Sequence, residues 1–328
     1  MNRMTFALFV LVTFALIGIH NTEAKLISRL FARNEKPDNS TTQVSSEGNN
    51  HFFEWFLGLW GQKPTTTPPP DVPKPEACPS CKCGLTNTRR RIIGGVETKI
   101  NQYPWMAQLR RDGEAICGGS VINNRYVLTA AHCVLGNVTV RIGEHDKSSA
   151  IESITQDFEV EKVIRHANYD SFDFDNDIAL LKLRGIIRME GLMRPVCLAE
   201  KGLTYSGKNG IVTGWGRIQI HGPMSNKLLE NSVPILSNKE CRLTGHKSKQ
   251  ITDNMMCAGY LTGGPDSCPG DSGGPMHVVE ETNEVHRLVG VVSWGVDCGL
   301  PNFPGVYTRV NRYLLWIDRH TRDACYCQ

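Results

Sequence analysis

Short β-rich runs separated by turn residues constrain the fold of this chain most. Between residues 92 and 310, the runs RYVLTAAH, VTVRIG, DIALLKL, NGIVTGWG and RLVGVVSWG alternate with Gly, Asn, Asp and Pro. Many short strands at such spacing predict an all-β barrel or sandwich. The C-terminal end is the exception, because Val310, Tyr313, Leu314 and Ile317 have the spacing of one amphipathic helix.

The first 24 residues have the pattern of a secretory signal peptide. Arg3 precedes an apolar run at residues 6–19, and Ala24 is a small residue at the expected cleavage point. A membrane anchor is the alternative, but a spanning helix needs about 20 apolar residues. We therefore expect residues 1–24 to be removed and the protein to be secreted and extracellular, with no membrane contact.

The cysteine content fits an oxidising compartment. Twelve cysteines form an even set, which favours disulfides over metal sites in a secreted chain. The run CPSCKC at 78–83 could mimic a zinc ligand set, but secretion argues against zinc, and we expect no metal. Two sequons, at Asn39 and Asn137, are candidate glycosylation sites. The net charge of +3 is close to balance and gives no reason to expect a nucleic-acid partner.

The composition of the chain changes at Ile92. Residues 25–91 form an expected prosegment, largely disordered, with a proline-rich linker at 64–75. An aromatic run at 51–61 could dock on a membrane or a partner, but we favour its folding against the same protein. The remaining residues, 92–328, form the expected folded domain.

Three side chains in separate motifs supply a nucleophile, a base and an orienter for that base. Ser272 lies in GDSGGP, His132 lies in TAAHC after an apolar run, and Asp177 opens the strand DIALLKL. Each residue alone is a weak signal, because a single buried His or Asp is more often structural. Together they indicate nucleophilic catalysis.

Six motifs, IIGG, TAAHC, DIALL, TGWG, GDSGGP and SWG, occur in the order found in trypsin-like serine proteases of the chymotrypsin family. The chain resembles this family from about Ile92 to Thr321. The resemblance implies two antiparallel six-stranded β-barrels with a C-terminal α-helix and an active site between the barrels. It implies that Ser272, His132 and Asp177 are catalytic, that the backbone N–H groups of Gly270 and Ser272 form the oxyanion hole, and that no cofactor is needed.

The resemblance also assigns a specificity pocket. Asp266 stands six residues before Ser272, at the position of the pocket floor, and an acid there implies cleavage after Arg or Lys. An exposed loop aspartate is the alternative. Gly295 and Gly305 match the pocket walls, and Ser293, Trp294 and Gly295 would line the cleft where an extended substrate adds as a strand.

Two residues depart from the trypsin pattern at the cleft mouth. Pro269 stands where trypsins carry a flexible polar residue, and Asp297 stands where they have glycine. We expect both residues to narrow the cleft and to make the enzyme selective. Neutral drift at an exposed rim is the alternative.

The sequence TRRRIIGG indicates an activation site. Cleavage after Arg91 would create an amino terminus at Ile92, and by resemblance that amine pairs with Asp271 and orders the oxyanion hole and the pocket. The uncut chain is then a zymogen whose partners are an activating tryptic protease, Arg- or Lys-containing protein substrates and a serpin-type or other protein inhibitor. The alternative is that the three arginines are a solvated basic patch.

The family pattern pairs six cysteines: Cys117 with Cys133, Cys241 with Cys257, and Cys268 with Cys298. Relatives with a retained prosegment imply Cys83 with Cys197. Cys78 and Cys81 are then left to pair with Cys325 and Cys327, in a connectivity that the sequence leaves open. These bridges would keep residues 25–91 attached after activation as a light chain.

We expect a secreted, trypsin-like serine endopeptidase that acts in an extracellular proteolytic cascade. Three alternatives remain: a digestive-type trypsin, a non-catalytic protease homologue that acts as an adaptor, and a membrane-anchored protease with an uncleaved signal. The intact Ser, His and Asp set argues against the adaptor, and a secreted chain that starts at Lys25 would exclude the anchor.

Overall fold

The computed structural model describes residues 78, 81–88, 96–149, 155–189, 191–217 and 222–328. The expected signal peptide, the aromatic run, Asn39 and the Arg91–Ile92 bond lie outside these residues. Among the helices of the described part, none has the length and apolar character needed to cross a bilayer.

The described residues form fourteen strands and two short α-helices, joined by turns and three 3-10 turns. The strands are β1 (Val96–Glu97), β2 (Met106–Arg111), β3 (Glu114–Val121), β4 (Tyr126–Thr129), β5 (Thr139–Ile142), β6 (Gln156–Arg165), β7 (Ala179–Leu183), β8 (Cys197–Leu198), β9 (Asn209–Gly214), β10 (Leu229–Pro234), β11 (Met255–Ala258), β12 (Pro275–Val279), β13 (His286–Trp294) and β14 (Gly305–Arg309). The helices are α1 (Asn238–Cys241) and α2 (Leu314–His320).

The first barrel closes in the order β2-β3-β4-β7-β6-β5, and every neighbouring pair is antiparallel. Its interior is filled by apolar side chains that are fully buried, among them Leu109, Val140 and Leu180. In β5 the residues alternate between half-buried and buried, because successive side chains of a strand point to opposite faces. Closure leaves no strand edge unpaired along this ring.

The second barrel uses the order β10-β9-β12-β13-β14-β11, again with antiparallel neighbours. A bridge between Ile235, directly after β10, and Ala258, in β11, closes the ring. Two short strands are added outside it: β1 pairs with β10, and β8 runs parallel to β13. The prediction of two six-stranded antiparallel barrels is therefore confirmed.

The predicted C-terminal helix is also present, although it starts later than its apolar spacing suggests. Val310–Arg312 form a 3-10 turn, and the α-helix begins at Leu314. Val310, Tyr313 and Ile317 are all buried, so the spacing correctly marks the face that packs on the barrel.

Six disulfides join the twelve cysteines. Four of them are the pairs that the family pattern implies: Cys117–Cys133, Cys241–Cys257, Cys268–Cys298 and Cys83–Cys197. The connectivity that the sequence leaves open is Cys78–Cys325 and Cys81–Cys327. Three disulfides thus tie residues 78–83 to the body of the protein.

Candidate active site

His132 and Asp177 come from the first barrel and are in direct contact. His132 lies in the 3-10 turn Ala131–Cys133 that follows β4, and Asp177 lies just before β7, the antiparallel neighbour of β4. His132 Nδ1 lies 2.7 Å from Asp177 Oδ2, and the His132 backbone N–H donates to Oδ1 at 3.0 Å. These two contacts fix both the turn and the ring of the histidine.

The second barrel holds Asp177 from the other side. The carboxylate is fully buried, and Ser293 Oγ in β13 donates to Oδ2 at 2.6 Å. Thr308 Oγ1 in β14 donates to the Asp177 backbone carbonyl at 2.6 Å. Asp177 therefore orients the imidazole from a position fixed by both barrels.

Ser272 lies on a glycine-rich turn that packs against the segment carrying His132. Gly118 N in β3 donates to the Ser272 carbonyl at 2.8 Å. Gly273 has a φ of +77°, and a Cβ there would lie 2.3 Å from Thr129 Oγ1 and 3.1 Å from Cys133 Sγ. Only glycine fits this close approach, which places Ser272 where the two barrels meet.

Ser272 and His132 are not hydrogen-bonded to each other in this structure. Within the described residues Ser272 Oγ forms no hydrogen bond, and His132 Nε2 lies 3.6 Å from Cys133 Sγ. Catalytic hydrogen bonds are often long in ligand-free enzymes and tighten when substrate binds. The histidine–aspartate contact is thus formed, while the contact between serine and histidine is open.

Asp266 is a half-buried carboxylate with only neutral hydrogen-bond donors. Its Oδ1 accepts from Ser267 N at 2.7 Å and its Oδ2 accepts from Gly299 N at 3.2 Å. Loss of hydration raises the pKa of Asp266 to about 6. The two N–H groups oppose that rise in the pKa, and the nearby Asp271 charge adds to it. A cation bound beside Asp266 would compensate this charge.

Gly305 and Gly295, which the sequence analysis assigns to the pocket walls, differ in what surrounds them. A Cβ on Gly305 would lie 2.9 Å from Asp266 Oδ1 and 3.1 Å from Ser267 Oγ, so glycine makes room for the carboxylate itself. A Cβ on Gly295 would meet only the Asp297 carbonyl, at 3.9 Å. The space beside Gly295 is therefore open to a ligand.

Asp271 lies beneath the loop that carries two glycines of the TGWG motif. Its carboxylate accepts from Gly216 N at 2.8 Å and from Cys268 N at 2.9 Å. Burial raises its pKa to about 6, against the smaller effect of the Lys147 charge. Asp266 and Asp271 both line a cavity of about 390 Å³. The cavity thus contains two carboxylates whose charge is poorly compensated.

Both residues expected at the cleft mouth take part in backbone hydrogen bonds. Asp297 Oδ1 accepts a hydrogen bond from Cys298 N at 2.8 Å, so its carboxylate is tied to its own loop. The Pro269 carbonyl accepts from Arg217 N at 3.0 Å, which ties the loop before Ser272 to the segment after β9. Gly270, next to Pro269, has a φ of +102°, a conformation that L side chains rarely adopt.

Sequence reasoning missed two residues that contact the site. Phe174 packs edge-on against His132, with ring centroids 6.0 Å apart, and its φ is +56°. Thr308 acts through a backbone carbonyl 131 residues away, which no local motif reveals. Trp294 is half-buried, and its ring packs edge-on against His246.

A buried Asp–His pair beside a serine on a glycine-rich turn, placed between two antiparallel barrels, defines the serine protease class. Residues 92–317 match the profile of the family described as Trypsin. The chain therefore belongs to the trypsin family of serine proteases.

Curated relatives share this region. The chain is 39% identical to "Proclotting enzyme" of Tachypleus tridentatus over 278 residues, which cover 79% of this chain and 72% of that protein. It is 36% identical to "Serine proteinase stubble" of Drosophila melanogaster, covering 74% of this chain and 33% of the relative. It is also 36% identical to "Transmembrane protease serine 11G" of Rattus norvegicus, covering 74% of this chain and 58% of the relative.

Proposed function

We propose that this protein is the zymogen of a secreted endopeptidase that cleaves peptide bonds after Arg or Lys. The observation that carries the proposal is the combination of the His132–Asp177 contact with the Asp266 carboxylate, which has only neutral hydrogen-bond donors. Asp266 stands six residues before Ser272 in the chain. The first arrangement supports peptide hydrolysis, and the second supports a cationic side chain in the pocket.

In the proposed mechanism Ser272 Oγ attacks the scissile carbonyl carbon. His132 Nε2 takes the serine proton, while Asp177 holds the Nδ1 side of the ring and stabilises the imidazolium. The backbone N–H groups of Gly270 and Ser272 stabilise the oxyanion, and each such donor contributes about 3 kcal/mol to transition-state stabilisation. His132 then gives its proton to the leaving amine, and water hydrolyses the acyl-enzyme by the same steps.

Activation follows from the chemistry of Asp271. Its carboxylate has two neutral backbone donors and a raised pKa of about 6, so a cation beside it would be stabilising. We propose that cleavage after Arg91 provides that cation as the amino terminus of Ile92. Asp271 immediately precedes Ser272, so the new ion pair would order the oxyanion loop and bring the nucleophile to His132.

The disulfides support a tethered light chain. Cys83–Cys197 and the two bridges to the C-terminus would keep the prosegment attached after cleavage. A retained prosegment and the similarity to a protein named proclotting enzyme both favour a cascade protease over a digestive trypsin. Its partners would be an activating tryptic protease, protein substrates and a protein inhibitor of the serpin or another class.

A covalent probe tests this function directly. The uncut chain and the chain cut after Arg91 are treated with a fluorophosphonate, which labels activated serines, and the labelled residue is mapped. We expect Ser272 to be labelled rapidly only in the cut chain, and the Ser272→Ala variant to stay unlabelled. Equal labelling before and after the cut would refute the zymogen, and no labelling after a clean cut would favour the adaptor.

A further inference from the structure

A second cavity, of about 730 Å³, shares no lining residue with the cavity at Asp266 and Asp271. Its walls are the loop at 201–206, the turn at 236–238, the pair Asp253 and Asn254, and the segment from Arg309 to Trp316. Its volume lies within the range of small-molecule sites in proteins.

Arg309 in this cavity is a buried cation without a carboxylate partner. Its side chain donates to the Met255 carbonyl at 3.2 Å, to the Thr204 carbonyl at 2.9 Å and to Asn238 Oδ1 at 2.5 Å. The residue is only 8% exposed, and within the described part of the chain no carboxylate hydrogen-bonds to it. Three of its five N–H groups are thus used by neutral acceptors, and two remain.

Other positive charges face the same cavity. Arg312 and Lys201 line it and are exposed, and neither forms an ion pair with a described residue. Burial and then the nearby charge of Arg312 lower the pKa of Arg309, and the charge of Asp253 opposes them with a smaller effect. Asp253 is the acidic residue of the lining, and its carboxylate is already 2.7 Å from Arg242 Nη2. The cavity therefore carries an excess of positive charge.

We propose that this cavity binds a tetrahedral oxyanion, the sulfate or phosphate group of a small ligand. A planar guanidinium presents N–H groups in the geometry that such oxygens accept. An anion here would compensate the buried charge of Arg309 and relieve its repulsion with Arg312. Desolvation of an unpaired charge is costly, so this compensation is the source of the affinity.

A ligand bound in the cavity would also affect the position of Asp177. Asn176 lines the cavity and directly precedes Asp177 in the chain. Thr308, which donates to the Asp177 carbonyl, directly precedes Arg309. A ligand held by Arg309 would therefore stabilise the two segments that position the aspartate. Anion binding in this cavity does not depend on whether the proposed catalytic function is correct.

The test uses the full, uncut chain carrying Ser272→Ala, so that no proteolysis occurs. Binding of inorganic sulfate and of inorganic phosphate is measured by titration calorimetry, and thermal unfolding is followed in sodium sulfate and in sodium chloride at equal ionic strength. We expect saturable calorimetric binding and a rise in Tm that saturates with sulfate or phosphate concentration. A rise that only grows steadily with concentration is the general effect of an excluded salt and would count against the site. The tighter of the two anions identifies the kind of ester.

Variants keep this test specific. Arg312→Ala and Lys201→Ala are exposed substitutions that leave the buried Arg309 in place, and each should weaken anion binding about tenfold. Arg319→Ala is the matched control, because Arg319 is an exposed arginine on α2, the helix that follows Arg312, and does not line the cavity. The proposal is overturned if calorimetry shows no saturable binding of sulfate or phosphate, or if a variant carrying both Arg312→Ala and Lys201→Ala binds as tightly as its parent. It is also overturned if Arg319→Ala weakens binding equally.

Discussion

The charge state of Asp266 should control the binding of cationic ligands in the proposed pocket. Benzamidine, a small aromatic amidinium, stays charged between pH 5 and pH 8, so over that range the carboxyl group decides the affinity. With its pKa raised to about 6, about one tenth of Asp266 is ionised at pH 5. Benzamidine should therefore bind about tenfold more weakly at pH 5 than at pH 8.

Replacement of the Asp266 carboxylate by an amide should weaken benzamidine binding more than protonation of Asp266 at pH 5 does. Asp266→Asn would leave an amidinium buried without a counter-charge, and loss of one partner of a buried ion pair costs about 3–5 kcal/mol. Affinity should fall at least about a hundredfold at pH 8. Asp297→Asn is the control, because the Asp297 carboxylate is tied to Cys298 N at the rim, and its loss should change affinity less than about threefold.

Titration calorimetry with the cut chain carrying Ser272→Ala measures this binding without any substrate turnover. The same experiment in Asp266→Asn should show no pH dependence between pH 5 and pH 8. A dissociation constant in the parent that does not change over this range would refute the raised pKa. Tight binding by Asp266→Asn would refute the pocket assignment.

Four further outcomes follow from the site and its disulfides. Gly305→Ala would place a Cβ 2.9 Å from Asp266 Oδ1, and kcat/KM for arginyl substrates should fall at least about tenfold while serine labelling persists. Ser293→Ala removes the 2.6 Å donor to Asp177, and kcat should fall about tenfold to a hundredfold with little change in KM. The ordinary pKa of an α-amine is about 7.7–8, and pairing with Asp271 should raise it, so the stabilisation is full below that value and is lost as pH rises through the raised pKa. Activity should then fall reversibly at alkaline pH, and a flat profile to about pH 11 would contradict the pairing. Finally, the cut chain should migrate as one species without reductant and as two with it, and two species in both conditions would contradict a tethered prosegment.

The motifs predicted the fold because the same short stretches contain both the strand residues and the glycines that let segments of backbone pack closely. The glycines of GDSGGP illustrate this, since Gly273 is required by a contact with Thr129 that the sequence alone does not show. The spacing of Tyr313, Leu314 and Ile317 predicted a helix, but the 3-10 turn before it is set by how β14 ends. Apolar spacing reports the buried face and not the first hydrogen bond of a helix.

Long-range contacts explain what the sequence could not predict. The pairing of Cys78 with Cys325 depends on where the residues after α2 lie in the fold. Counting cysteines alone leaves two possible pairings of Cys78 and Cys81 with Cys325 and Cys327. The Asp297 carboxylate accepts a hydrogen bond from the next N–H of its own loop, a local contact that the sequence does not reveal. The cavity around Arg309 combines residues from separate, distant segments of the chain, so no local motif could mark it.

The central claim, a zymogen with tryptic specificity, is tested most directly by hydrolysis of short peptide substrates ending in Arg, Lys, Phe or Ala. The secreted chain is cut after Arg91, the cutting enzyme is removed, and rates are compared with those of the uncut chain and of the Ser272→Ala variant. We predict cleavage after Arg and Lys alone, in the cut chain alone, with none in the variant. Turnover of Phe or Ala substrates, equal activity before the cut, or silence on all four peptides after a clean cut would contradict the account.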